Sequence, residues 1–315
     1  MYEKFEGRIV LHQDDVGMCH GANVAFGELS ALGSITSGSV MVPCPWFREA
    51  AEMAATNKKL DLGVHLTLTA EKEFYRWRPL TSASKSSGLV DEDGYMWRDV
   101  SSVRKKANVD AVELELRAQV DFALASGFDV THLDAHMGAT LAPEFCAIYI
   151  ALGVEYQLPV LITKSLSQYG PNNHIVGVSD DQFAEFVDLA EEVSQPIFDR
   201  VLETDFGRPS TTSLAHDAYQ KMFTKSKTGL TFAALHPNAP GEVEIIEPNQ
   251  FHMRTQEYEI FRSKNFLSWL AGQFLERVGV ETFPIFLACT ATIVLIATKL
   301  ITNNFGLSEH ISKAN

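Results

Sequence analysis

Polar and apolar positions alternate along this chain in two rhythms. Short β-rich runs read as strands: Arg8–His12 (RIVLH), Ser37–Val42 (SGSVMV), Leu62–Thr69 (LGVHLTLT), Val130–Ala135, Pro159–Ile162 and Leu230–Leu235 (LTFAAL). Stretches with helix-forming residues or helical apolar spacing lie between them: Asn23–Leu32 closed by Gly33, Trp46–Thr56, Val109–Ala125 closed by Gly127, Pro143–Leu152, the acidic Asp181–Val193, and Gln256–Arg277 as one or two helices. Strand–helix alternation predicts a mainly parallel sheet with helical cover, a barrel or a variant of one.

Two segments break the rhythm. Glu71–Arg104 is a long polar insertion carrying Trp77, Trp97 and a DEDG turn, too irregular for a core element and long enough to be functional. Thr282–Thr298 (TFPIFLACTATIVLIAT) is uncharged and reaches the lower length of a membrane span, yet Pro284 and its β-branched residues favour a buried or interface element over a tail anchor. The expected organisation is one domain over 1–281 and an apolar extension over 282–315.

Composition narrows the function. A hydrophobic share of 46% and a charged share of 21% are ordinary for a folded domain. The 26 Lys and Arg against 40 Asp and Glu leave a formal net charge of -14 with no basic run, which excludes nucleic acid as an expected partner and favours a neutral or cationic small molecule. The four cysteines are far apart without a CxxC pair, and the amino terminus has no signal-peptide-like apolar stretch. A reduced, cytoplasmic protein is expected, with no membrane contact in the main domain and a homodimer left open.

Chemistry concentrates at strand ends. In THLDAH, His132, Asp134 and His136 recur at every second position, so in an extended strand they share one face over a span of about 13 Å, too long for all three to hold one ion. Asp15 and His65, at other strand ends, are available as further donors, with Asp14 beside Asp15 and His236 in ALHPN. Two imidazoles with a carboxylate can hold a divalent metal and leave positions open for water and substrate, while a second carboxylate and a distant histidine can divide proton transfer between them. Each element alone has an ordinary structural explanation, such as a cap or a core histidine. Their joint placement at successive strand ends makes the case.

The same residues resemble the YdjC/ChbG family of carbohydrate deacetylases. The likeness rests on IVLHQDDVGMCHGAN, GSITSGSVMVPCPWFREAA, LGVHLTLT, THLDAH and ALHPN, in family order from about residue 8 to residue 280. It implies a distorted (β/α) TIM-like barrel and a divalent-metal hydrolase, with Mg2+ or Zn2+, that removes acetyl groups from N-acetylated sugars such as chito-oligosaccharides. By position it implies Asp15, His65 and His136 as metal ligands, Asp14 as base, His236 as acid or oxyanion partner, and His132 and Asp134 as groups that orient ligands. Arg254 is expected to line the pocket, and Trp77 and Trp97 to stack on sugar rings. Gln13 before the acidic pair, and Met137, Gly138 and Ala139 after His136, depart from the family pattern and put the sugar subsite in question. Other readings are a hydrolase of another amide, ester or phosphoester on the same barrel, and a non-catalytic sugar- or metal-binding module.

Overall fold

Nine strands organise the described residues: β1 (Gly7–Val16), β2 (Ser37–Val40), β3 (Leu62–Leu66), β4 (Val130–Ala135), β5 (Ile162–Thr163), β6 (Ile197–Phe198), β7 (Arg200–Glu203), β8 (Gly229–Leu235) and β9 (Leu275–Arg277). The structure, a computed structural model, describes residues 7–81, 83–169, 174–207, 212–224, 228–273 and 275–283. All strand pairings between these elements are parallel. The main sheet runs β4-β3-β2-β1-β8-β7, with β9 added beside β1.

Backbone hydrogen bonds carry the order further round. Leu133 N–H donates to Pro159 O at 2.9 Å and Leu161 N–H to Leu133 O at 3.1 Å, linking β4 to the approach of β5. β5 pairs with β6, and Asp199 N–H, between β6 and β7, donates to Leu230 O of β8 at 2.9 Å. The two-stranded β5-β6 sheet is thus linked to the main sheet by a single bridge at β4 and by the hydrogen bond to Leu230. This is the parallel α/β architecture expected from strand–helix alternation.

Helices cover the outside: α1 (His20–Leu32), α2 (Phe47–Thr56), α3 (Val100–Lys106), α4 (Val109–Ala125), α5 (Cys146–Tyr156), α6 (Asp180–Glu192), α7 (Thr212–Phe223), α8 (Val243–Ile246), α9 (Phe251–Phe261) and α10 (Lys264–Ala271). Their ends follow local chemistry. Gly33 closes α1 in the left-handed conformation at φ 69°, Asn108 caps α4 through its side chain, and Ser179 with Gln182 forms a capping box on α6. The strand interiors bury Ile9, Leu11, Val64, Leu133, Phe232 and their neighbours, and a second small cluster under the insertion gathers Met18, Met41, Trp77 and Met96.

Two expectations need adjustment. Gln256–Arg277 is not helical throughout, because Leu275–Arg277 pairs with Gly7, Arg8 and Ile9 as a strand. Leu62–Thr69 leaves the sheet after Leu66, where Thr67 turns its amide to Gln119. β4 ends at Ala135, so His136 opens a 3-10 turn over His136–Leu141. Of the apolar run Thr282–Thr298 only Thr282 and Phe283 fall among the described residues, and the rest lies outside them. Among the described residues no helix is long and apolar enough to cross a membrane.

Candidate metal centre

β1 ends in an irregularity that brings two consecutive carboxylates to one side. Side chains alternate between faces along a regular strand, so Asp14 and Asp15 should point apart. The register shifts between Gln13 and Val16, and Asp15 takes a left-handed φ of 59°, a conformation Asp tolerates better than most residues. Both carboxylates therefore line one cavity of about 270 Å³, together with His65, His136, His236 and Arg254.

Asp15 is buried and asymmetrically held. Its Oδ2 receives the Arg254 guanidinium at 2.8 Å, and Arg254 is itself fixed by two hydrogen bonds to Glu247, at 2.6 and 2.9 Å. Its Oδ1 has no hydrogen-bond partner, although His136 Nδ1 lies at 3.2 Å and His65 Nε2 at 3.5 Å. Burial alone would raise the Asp15 pKa, but Arg254, then His136 and His65, hold it well below the usual carboxylate range. An ionised, buried oxygen without a donor, facing two ring nitrogens, suits a cation.

Each imidazole is braced from behind. His65 Nδ1 lies 2.8 Å from Asp134 Oδ1 and 3.0 Å from Ser39 Oγ, which leaves Nε2 on the Asp15 side. His136 Nε2 lies 3.0 Å from Glu71 Oε2, which leaves Nδ1 on that side. One ligand atom from each of Asp15, His65 and His136 lies within 4.8 Å of the others. Carboxylates behind both rings are the arrangement that fixes tautomer and raises the basicity of metal-binding histidines. The residues present therefore fit a divalent ion with three protein ligands and an open side towards the cavity.

Two further groups stand beside this centre. Asp14 Oδ1 lies 2.7 Å from His12 Nδ1, and its Oδ2 is 3.7 Å from His236 Nε2. His236 Nδ1 meets Thr204 Oγ1 at 3.0 Å, and that hydroxyl donates to Glu257 Oε1 at 2.7 Å. Because the Thr204 hydrogen is given to Glu257, His236 supplies the hydrogen at Nδ1 and turns a bare Nε2 to Asp14. Burial lowers the His236 pKa to about 4, so the resting ring is neutral.

The remaining expected residues divide. Asp134 stands behind His65, as above, and Arg254 lines the cavity mainly as the partner of Asp15. His132 is deeper, with its Nε2 3.0 Å from His12 Nε2. Trp77 and Trp97 do not face the cavity: Trp77 is 3% exposed, donates its indole N–H to Thr69 O and turns its ring towards His136, while Trp97 donates to Gly88 O. The insertion folds inward on these rings, and neither lines this cavity.

Sequence reasoning missed His12, Glu71, Lys72 and Glu247. His12 carried a signal, since it stands two positions before Asp14 on β1 and so extends the polar alternation that marked THLDAH. Glu71, Lys72 and Glu247 come from loops and a short helix end, where no periodicity announces a partner; Lys72 pairs with both Glu71 and Glu247 and ties the insertion to α8.

Comparison with known proteins adds to this geometry. The family described as YdjC-like protein matches residues 8–272. A carbohydrate deacetylase of Thermus thermophilus is 42% identical over 162 residues, 51% of this chain and 56% of that protein. A carbohydrate deacetylase of Thermoanaerobacter pseudethanolicus is 32% identical over 155 residues, 49% of this chain and 60% of that protein. These alignments span little more than half the length of those two relatives. A chitooligosaccharide deacetylase of Yersinia enterocolitica is 29% identical over 166 residues, 52% of this chain and 62% of its own. A solved structure from Enterococcus faecalis, provisionally described as a cellobiose-phosphate cleavage protein, superposes with a TM-score of 0.70 at 22% identity, covering 89% of this chain and 99% of its own, which establishes the shared fold.

Proposed function

We propose a function from one premise: the chain belongs to the YdjC-like protein family. The cavity is that of a divalent-metal-dependent carbohydrate deacetylase, which hydrolyses the acetamide of an N-acetylated sugar to acetate and a free amine. The observation that carries this reading is the donorless Oδ1 of buried Asp15, flanked by His65 and His136 with carboxylates behind both rings. The relatives named carbohydrate deacetylase and chitooligosaccharide deacetylase support the substrate class.

Asp15, His65 and His136 would hold the ion, and a donor set of two imidazoles and one carboxylate suits zinc better than magnesium. Such an ion polarises a carbonyl and makes water more acidic. Asp14 acts as base at Oδ2, since Oδ1 is engaged by His12. As water oxygen bonds to the acetyl carbon, its proton passes to Asp14. Neutral His236, with a bare Nε2 3.7 Å from that oxygen, receives the proton and delivers it to the amine nitrogen as the C–N bond breaks. Thr204 and Glu257 keep the His236 ring in the tautomer this transfer needs. Arg254 supports the centre by keeping Asp15 ionised and fixed.

The test is acetate release from N-acetylglucosamine oligomers by the full chain with zinc or magnesium added. Asp14→Asn should lower turnover by about 100-fold or more while metal content stays the same. Unchanged turnover in that variant removes Asp14 as the base, and no release from any acetylated sugar overturns the deacetylase reading.

A further inference from the structure

We propose that His12 and His132 share one extra proton between their Nε2 atoms, and that this buried cationic pair is a positioning element for Asp14. The inference rests on the deacetylase reading for its consequence but not for the proton itself.

The hydrogen count carries it. His12 Nδ1 lies 2.7 Å from Asp14 Oδ1, and an ionised carboxylate only accepts, so a hydrogen belongs on that nitrogen. His132 Nδ1 lies 2.8 Å from Thr131 Oγ1, whose own hydrogen goes to Asp61 Oδ1, so a hydrogen belongs there too. Between the rings, Nε2 faces Nε2 at 3.0 Å, and that contact requires one hydrogen more. Two neutral imidazoles carry two N–H hydrogens; this line uses three.

The surroundings suit the charge. Asp14 and Asp61 stand at the two ends of the line, and Asp134 Oδ2 lies 3.6 Å from His12 Nε2. Burial would raise the Asp61 pKa, but His132, Thr131 and the Glu281 amide outweigh it and keep it below the usual range. Both rings are sealed, at 0% and 1% exposed. His12 packs against Phe232 with ring centroids 4.6 Å apart, and a Cβ on Gly63 would come within 2.6 Å of the His132 ring, so β3 leaves a slot for it. His12, His132 and Asp134 also have ligand atoms close enough for a metal, yet none of their nitrogens or oxygens lacks a partner, in contrast to Asp15 Oδ1. The group is therefore a hydrogen-bonded line rather than a second metal centre.

Its consequence is directional. With Oδ1 taken by the pair, Asp14 is left with Oδ2 towards the cavity and His236. His12 and His132 touch neither water nor sugar in this scheme; they act through Asp14.

The closing experiment is NMR of the full chain with 15N-labelled histidine, joined to kinetics. The expected spectrum contains one far-downfield proton coupled to the Nε2 nitrogens of both His12 and His132, lost in His132→Gln. In the same variant kcat for acetate release should fall about tenfold while KM and metal content hold, a split that general loosening of the cavity does not produce. A wild-type spectrum with two neutral rings, each bearing a single unshared N–H, overturns the shared proton. Loss of the resonance with kcat unchanged overturns the link to Asp14. Because the wild-type spectrum needs no turnover and no variant, a failure of the deacetylase reading and a failure of the proton count give different results.

Discussion

The Arg254 guanidinium lies 2.8 Å from Asp15 Oδ2, and both side chains are nearly sealed from solvent, at 4% and 3% exposed. The pair joins α9 to the end of β1, two elements about 240 positions apart in the chain. Removing the cation leaves Asp15 charged, buried and uncompensated. Arg254→Met in the metal-free protein is expected to lose about 3–5 kcal/mol of stability. Urea unfolding measures it, and a midpoint equal to that of the parent would show that Asp15 does not depend on its partner.

Glu71 stands behind His136, a proposed metal ligand, at its Nε2. Glu71→Gln keeps a hydrogen-bonding side chain but loses the charge. Metal affinity should drop by about 10- to 100-fold, as measured by competition against a chelator. The same competition on Asp134→Asn should give a loss of the same order, since Asp134 has the equivalent place behind His65. Affinities unchanged in both would mean that the rings are held by the backbone alone.

His236 should make the fold acid-sensitive. Its pKa is about 4 in the folded chain, against about 6.5 for an unperturbed histidine, so the unfolded state binds the proton more readily. The stability this supplies is complete above pH 6.5 or so and is lost as pH falls towards 4, amounting to about 3 kcal/mol in all. Thermal or urea unfolding followed between those pH values should show the slope, and His236→Gln should flatten it. An identical slope in that variant would assign the acid sensitivity elsewhere.

Trp77 belongs to the packing of the insertion. Trp77→Ala should cost about 3–5 kcal/mol of stability with little change in KM for long against short acetylated oligomers. A selective rise in KM for the longer sugars, with stability intact, would return the ring to substrate binding.

Much of this arrangement could be read from the chain. Strand–helix alternation led to the parallel sheet, and Asp15, His65 and His136 were singled out from three separate strand ends that the fold brings within 4.8 Å. What escaped were partners supplied by segments without a period. Glu71 and Glu247 act through reach and charge, and neither has a spacing that announces it. Trp77 and Trp97 misled for a related reason: a polar, irregular insertion suggested exposed aromatics, whereas Val90, Met96 and Val100 within the same stretch are buried and draw the indoles inward. His12 was legible and overlooked, because its run RIVLH read as apolar up to its final residue.

The backbone at Asp15 has a consequence for how sequence change at this position should be interpreted. Its φ of 59° admits aspartate, asparagine and glycine far more readily than branched or bulky residues. In a library selected only for foldedness, with no sugar supplied, position 15 should still be confined to that narrow set. Aspartate persisting there in a descendant that has abandoned hydrolysis would then testify to geometry as much as to chemistry, and the choice between aspartate and asparagine is where selection for turnover would leave its mark.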